Sequence, residues 1–181
     1  MRRAQLIHSL GHAALAVLLL LPTPAPAQHV TEPALKAAYI YNFARFTTWP
    51  DDVMPSGEQV VLCVLGDASI GEALERTVKG RTLAGHALGV SQPSVDAPLR
   101  AGCHIVYVSG MTADRAGKLI AGVRDAPVLS ISDLEGFTKV GGIAEFFFEH
   151  GQLRFSVHLA SARRARLQIS SRLLSLARTT K

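Results

Sequence analysis

The spacing of apolar residues changes along the chain, and each change marks a different kind of element. Ala13 to Leu21 is an unbroken apolar run of nine residues. From Thr31 to Phe46 the apolar positions recur every three to four residues, at Leu35, Tyr39, Phe43 and Phe46. That spacing predicts a helix, with Thr31 or Glu32 near its cap and Pro33 at its first position, where a missing N–H costs little. Ile40, Tyr41 and Ala44 widen the apolar arc, so more than one side of the helix is expected to be covered. The aromatic stripe reads as core rather than as a wall for stacking a ligand.

Beyond Trp49-Pro50 the pattern becomes short, continuous apolar runs. Val60 to Leu65, Cys103 to Val108 and Pro127 to Ile131 suit strands buried on both faces. Between them, Ser69 to Val78 and the stretch from Thr112 to about Val123 predict helices, and Asp133 is expected to cap a further short helix to about Lys139. Arg81 to Val90, interrupted by Gly85, predicts one weaker strand, and Ser91 to Gly102 a loop. The period then drops to two. Leu153, Phe155, Val157 and Leu159 alternate with Arg154, Ser156 and His158, and His150-Gly151 separates this segment from Gly142 to Glu149. Such a pattern predicts a hairpin with one buried face. Ala160 to Ala165 predicts a short helix, Leu167 to Ile169 an extended stretch, and Ser170 or Ser171 a cap for a last helix running to Arg178.

Strand–helix alternation closed by a hairpin predicts an α/β fold of three layers: a mainly parallel sheet flanked by helices, with a C-terminal antiparallel β-hairpin at the edge. Sheets of this type gather ligands beyond the C-terminal strand ends, where the strand order switches. Those ends carry Gly66, Asp67, Ser109, Gly110, Ser132 and Asp133, and Asp67, Ser109 and Asp133 are the candidate ligand-binding residues. Each is equally an ordinary turn or capping residue.

The N-terminus adds a location to this picture. Arg2-Arg3, the apolar run and Ala25-Pro26-Ala27 follow the order of a secretory signal peptide, with cleavage expected before Gln28. The run is shorter than the roughly 20 residues of a bilayer span. Residues 28–181 are then expected to form a single exported domain that does not span the membrane. Its charge is 17 basic against 14 acidic residues, a net +3. From His150 onward there are seven Arg or Lys and no Asp or Glu. Export removes nucleic acid as a partner for this tail. A solvated helix face comes first, then an acidic partner patch or anionic lipid headgroups. Cys63 and Cys103 are the two cysteines; an exported domain with an even count points to a disulfide, two buried free thiols being the alternative.

Chemical signatures are sparse. Gly66-x4-Gly71 lacks the Lys and Ser/Thr of a phosphate loop, and no Gly-x-Ser-x-Gly elbow occurs. No histidine or cysteine stands at metal-ligand spacing with another. No cofactor, metal or catalytic set is expected.

Leu35-Lys-Ala-Ala-Tyr-Ile-Tyr-Asn-Phe-Ala-Arg-Phe-Thr-Thr-Trp-Pro50 resembles the opening helix of the YfiR-like (DUF4154) periplasmic proteins. Cys63-Val-Leu-Gly, Gly102-Cys103-His-Ile-Val-Tyr and Pro127-Val-Leu-Ser-Ile-Ser-Asp resemble its core strands in order. Val140-Gly-Gly-Ile, Phe155-Ser-Val-His-Leu-Ala and Leu167-Gln-Ile-Ser-Ser-Arg-Leu-Leu-Ser-Leu-Ala177 resemble its closing hairpin and last helix. The resemblance covers residues 33 to 178. It implies a non-enzymatic periplasmic regulator that binds the periplasmic sensor region of an inner-membrane protein, repressing a diguanylate cyclase and so cyclic di-GMP and biofilm growth. It also implies a homodimer and a disulfide at positions matching Cys63 and Cys103. A periplasmic small-ligand receptor feeding a membrane histidine kinase or other sensor is the alternative. Two residues depart from the family pattern: His158 stands where Asn is commoner, and Arg166 where a Gly usually follows the short helix. A non-Gly residue there either bears left-handed strain of roughly 1 kcal/mol or ends the helix differently.

Overall fold

The computed structural model describes residues 30–54, 57–96, 99 and 102–180. The leader run and its cleavage site lie outside those residues. Helix α1 (Glu32–Arg45) is capped by Thr31, whose hydroxyl accepts from the Ala34 N–H. There follow β1 (Thr47–Thr48), β2 (Val60–Leu65), α2 (Ala68–Val78), β3 (Thr82–Leu83), β4 (His86–Ser91) and β5 (Ile105–Val108). The chain continues through α3 (Ala113–Ala121), β6 (Leu129–Ser132), β7 (Ala144–Glu149), β8 (Gln152–Val157), α4 (Leu159–Arg164), β9 (Gln168–Ile169), α5 (Ser171–Leu174) and β10 (Thr179–Thr180).

The main sheet runs β10-β8-β7-β6-β5-β2-β4-β3. Its middle five strands, β4, β2, β5, β6 and β7, are parallel, and β8 returns antiparallel against β7. A small antiparallel pair, β1 with β9, sits apart. The fold is the expected mainly parallel α/β sheet flanked by helices, with the antiparallel hairpin towards one edge.

Each central strand feeds two cores. From β2, Val60, Leu62 and Val64 face the cluster beneath α1 and α2, while Cys63 and Leu65 face that beneath α3. In β5, Ile105 and Tyr107 take the first side and Val106 and Val108 the second. This double burial is why those runs are continuously apolar rather than alternating. Phe43 of α1 packs edge-on to Phe155 at 5.0 Å and tilted to Phe146 at 5.4 Å. Tyr39 lies against the same two rings and donates its hydroxyl to the Leu153 carbonyl at 3.1 Å. That bond and the Arg178 N–H on the Phe155 carbonyl occupy part of the outer edge of β8, which would otherwise invite strand pairing.

Several expectations change. Arg81 to Val90 is two strands, β3 and β4, folded about Ala84-Gly85, because both turn residues take positive φ (50° and 88°). The stretch after Asp133 is a series of turns rather than a helix. Asp133 does not cap it: the Ser132 hydroxyl accepts from the Leu134 N–H, and Glu145 accepts from the Gly136 and Thr138 N–H groups. The last helix, capped by Ser170, stops at Leu174, and residues 179–180 extend to pair with β8. In α1 the buried arc centres on Ala37, Ile40 and Ala44, leaving Leu35, Tyr39 and Phe46 half-buried. Pro33 is its second residue, not its first. Arg166 does bear left-handed strain, at φ 58°, and its guanidinium pairs with Asp52 at 3.1 Å.

Candidate functional site

The strand order β4-β2-β5-β6-β7 reverses between β2 and β5, so Gly66-Asp67 and Ser109-Gly110 meet at the switch point. They meet closely. The Ser109 N–H donates to the Leu65 carbonyl at 2.9 Å, and its hydroxyl accepts the Asp67 N–H at 3.1 Å. The Asp67 carboxylate turns outward to cap α2, accepting from the Ser69 N–H at 2.8 Å and the Ser69 hydroxyl at 2.7 Å. Those two bonds hold its carboxyl below the usual carboxylate range. Since the folded form releases its proton more readily, this stabilisation is present above about pH 4 and lost as pH falls further.

Asp133, at the end of β6, joins a different group. The Lys36 ammonium lies 2.5 Å from Asp133 and 2.5 Å from Glu32, with its side chain only 9 % exposed. Burial opposes its charge, but the hydrogen bonds and fields of the two carboxylates more than offset this, so its pKa is raised. A raised lysine contributes below its unfolded value and loses that contribution only as pH climbs past about 10.5. The Tyr107 hydroxyl, fully buried below the group, is pushed far up, first by burial and then by the Asp133 charge. Lys36→Met would leave Asp133 without its cation. We expect a loss of about 2 kcal/mol in urea unfolding, below the range for fully buried pairs because both carboxylates reach solvent. An unchanged unfolding midpoint would refute that assignment. Sequence reasoning missed Lys36: its i+4 spacing from Glu32 is that of an ordinary surface pair, and only the packing of α1 over the strand ends buries it.

Cys63 and Cys103 form a disulfide with a Cα–Cα separation of 5.7 Å, tying the middle of β2 to the residues leading into β5. Next to it, His104 Nδ1 accepts the Val61 N–H at 3.1 Å. Burial holds this imidazole below its ordinary pKa. Below about pH 6.5 the unfolded chain therefore binds a proton that the folded chain resists, and stability falls as pH drops from there towards 5. His104→Asn keeps an acceptor but does not titrate; the pH dependence of its melting temperature should be visibly flatter over that range.

Among the described residues no group of three or more His, Cys, Asp or Glu is placed to hold a metal ion, and no helix is long and apolar enough to cross a membrane. A disulfide of this kind fits an oxidising compartment. The structure joins Asp67 to Ser109 by a hydrogen bond and pairs Asp133 with Lys36, whose charge also acts on Asp67. His158 caps α4, its Nδ1 accepting from the Ser161 N–H at 3.2 Å.

Sequence and structure comparisons bear on this arrangement. The family described as DUF4154, YfiR/HmsC-like, matches residues 33–178. No curated protein matches the chain. Among solved structures, a conserved domain protein from Vibrio cholerae O1 biovar El Tor str. N16961 has a similar fold, with a TM-score of 0.54 and 12% sequence identity. The match covers 83% of this chain but 60% of that protein, and at such identity it speaks to fold alone.

Proposed function

The chain is a member of the YfiR/HmsC-like family, known for periplasmic regulators, and on that premise we propose that it binds the periplasmic sensor region of an inner-membrane signalling protein. The partner best suited to the reading is a diguanylate cyclase that the bound protein restrains, without catalysis of its own, lowering cyclic di-GMP and biofilm growth. The observation that carries the proposal is an apolar groove of about 320 Å³ between α1, β8 and α5. Tyr39, Phe46, Leu153 and Leu173 line it, and Leu176, 68% exposed, stands at its rim with Arg154. A large apolar side chain held in water beside an apolar groove supports reading this face as a protein-binding surface. The excess of Arg after His150 suits an apolar partner segment flanked by acids. A repressor must favour its partner's inactive form, and moving that balance from 1:99 to 99:1 takes about 5.5 kcal/mol of differential affinity.

Capture from membrane extract tests the reading. The wild-type protein should retain a membrane cyclase or kinase, Leu176→Asp should lose it with an unchanged melting temperature, and equal capture by both would remove the groove from the proposal. Signal-peptide cleavage before Gln28 belongs to the same reading and is checked by N-terminal sequencing of periplasmic product. A homodimer, also part of it, is checked by light scattering.

A second reading has its own support. The switch point at Asp67 and Ser109, and a cleft of about 580 Å³ beside Asp133 and Lys36, suit a small-ligand receptor feeding a membrane kinase. Thermal-shift screening separates the two: a stabilising metabolite whose effect vanishes in Asp67→Ala, Ser109→Ala or Asp133→Ala would favour the receptor.

A further inference from the structure

We propose that the cleft between the end of α3, the turn at residues 138–141 and α4 is a binding site for a phosphate-bearing ligand. The cleft has a volume of about 440 Å³ and is lined by Arg124, Lys139, Arg164, His158 and Ser161, together with Thr138, Val140 and Gly141. Its lining holds three permanent cations and no carboxylate. Among the described residues, none of the three is in an ion pair, whereas the nearby basic residues Arg166 and Arg178 each have an acidic partner. Like charges gathered in one lining repel one another, and an anion in the cleft relieves that cost.

Two of the donors are held in place before any ligand arrives. Arg124 lies across the turn and gives one N–H to the Val140 carbonyl at 3.3 Å. It can lie there because residue 141 is glycine: Nε and Nη2 each sit 3.2 Å from where a Cβ would be, and the φ of +106° independently favours glycine. A guanidinium has five N–H donors in a planar fork that matches phosphate oxygens, so most of its donors remain for a ligand. His158 adds a neutral donor. Its Nδ1 accepts the Ser161 N–H and lies 2.8 Å from the Ser161 hydroxyl, which assigns the ring proton to Nε2. Thr138 contributes no donor, since its hydroxyl and N–H both go to Glu145. Glu145 also accepts from the Gly136 N–H, which turns that nearby carboxylate onto the 136–138 backbone and out of the cleft lining. Three cations and one oriented neutral donor suit a multiply charged phosphate better than a single carboxylate. The volume exceeds that of the phosphate alone and leaves room for an organic portion.

Two sources can supply such a phosphate, a soluble phosphorylated compound or an anionic lipid headgroup, and neither depends on which membrane protein is the partner. Inorganic pyrophosphate, titrated calorimetrically into the whole protein at constant ionic strength, is the probe for the first source. Sedimentation with vesicles of phosphatidylglycerol against phosphatidylcholine is the probe for the second. Lys139→Glu and Arg164→Glu are exposed substitutions that leave the core untouched, and each should weaken binding about tenfold or more, the worth of one charged hydrogen bond. Arg76→Glu on α2 carries the same charge change elsewhere and should leave binding within about twofold. Site-dependent pyrophosphate binding identifies a soluble ligand, and site-dependent vesicle binding alone identifies a headgroup. Absence of binding in both arms, or equal loss in Arg76→Glu and Arg164→Glu, overturns the proposal.

Discussion

Cys63→Ala/Cys103→Ala is expected to unfold at markedly lower urea concentration than the wild-type protein, with a stability loss of roughly 4 kcal/mol. The sequence separation is 40 residues, and closing a loop of that length removes conformations mainly from the unfolded chain. For a domain of about 150 residues the melting temperature should drop by about 10 °C. Alanine keeps the comparison clean, because Cys63 is 3% exposed against Val106, Ile120 and Leu65 and a serine there would bury a hydroxyl. The same loss should follow from reducing the wild-type protein. Should the double variant melt within a degree or two of wild type, the bond would be decorative and a redox-controlled release would have no physical basis. If the full loss is found, reduction loosens the module, and capture from membrane extract under a reducing agent tests whether that frees the proposed partner.

The second large effect is expected from Gly66→Ala. Gly66 sits at φ +108°, and a Cβ there would overlap the carbonyl of Ser109, with the carbonyl carbon 2.8 Å away. The obstruction is backbone, held by the β2–β5 ladder and by the Asp67 N–H on the Ser109 hydroxyl, so it cannot swing aside. Strain in the backbone and overpacking each cost about 1–3 kcal/mol, and together about 3 kcal/mol is expected in denaturant unfolding. The sole tryptophan, Trp49, is buried and donates to the Pro127 carbonyl at 3.0 Å, so its fluorescence reports the transition. A wild-type midpoint in Gly66→Ala would mean that the two strand ends are not in contact at the switch point. Gly80→Ala makes the matching control: it also has positive φ, at +70°, but nothing lies within 4 Å of its Cβ position. It should cost only about 1 kcal/mol.

Elements with local signals are legible in the amino-acid order itself. Thr31 with Pro33 starts α1, the doubly buried runs around Cys63 and Val106 form β2 and β5, and His150-Gly151 turns the hairpin with both residues at positive φ. The two cysteines also read correctly, because an even count in a domain expected to be exported leaves few alternatives. Signals fail where a residue's role depends on a distant partner. Asp133 has the sequence of a helix cap, yet its carboxylate is taken by Lys36, which is 97 residues away in the chain. Ser170 promises a helix to Arg178, but the Arg178 N–H goes to Phe155 and the chain leaves the helix to extend beside β8. Arg124, Lys139 and Arg164 carry no signal one at a time, and only the packing of α3, the 138–141 turn and α4 makes one cleft of them.

Periodicity, capping residues and cysteine parity are properties of neighbours along the chain, and from them the sequence alone determined the class of fold, most of its elements and the cross-link. Burial of Lys36, closure of the β2–β5 switch point and assembly of the basic cleft were decided by the tertiary structure. Charges and hydrogen bonds act through space over a few ångströms, and nothing in local order says which distant groups will be brought that close.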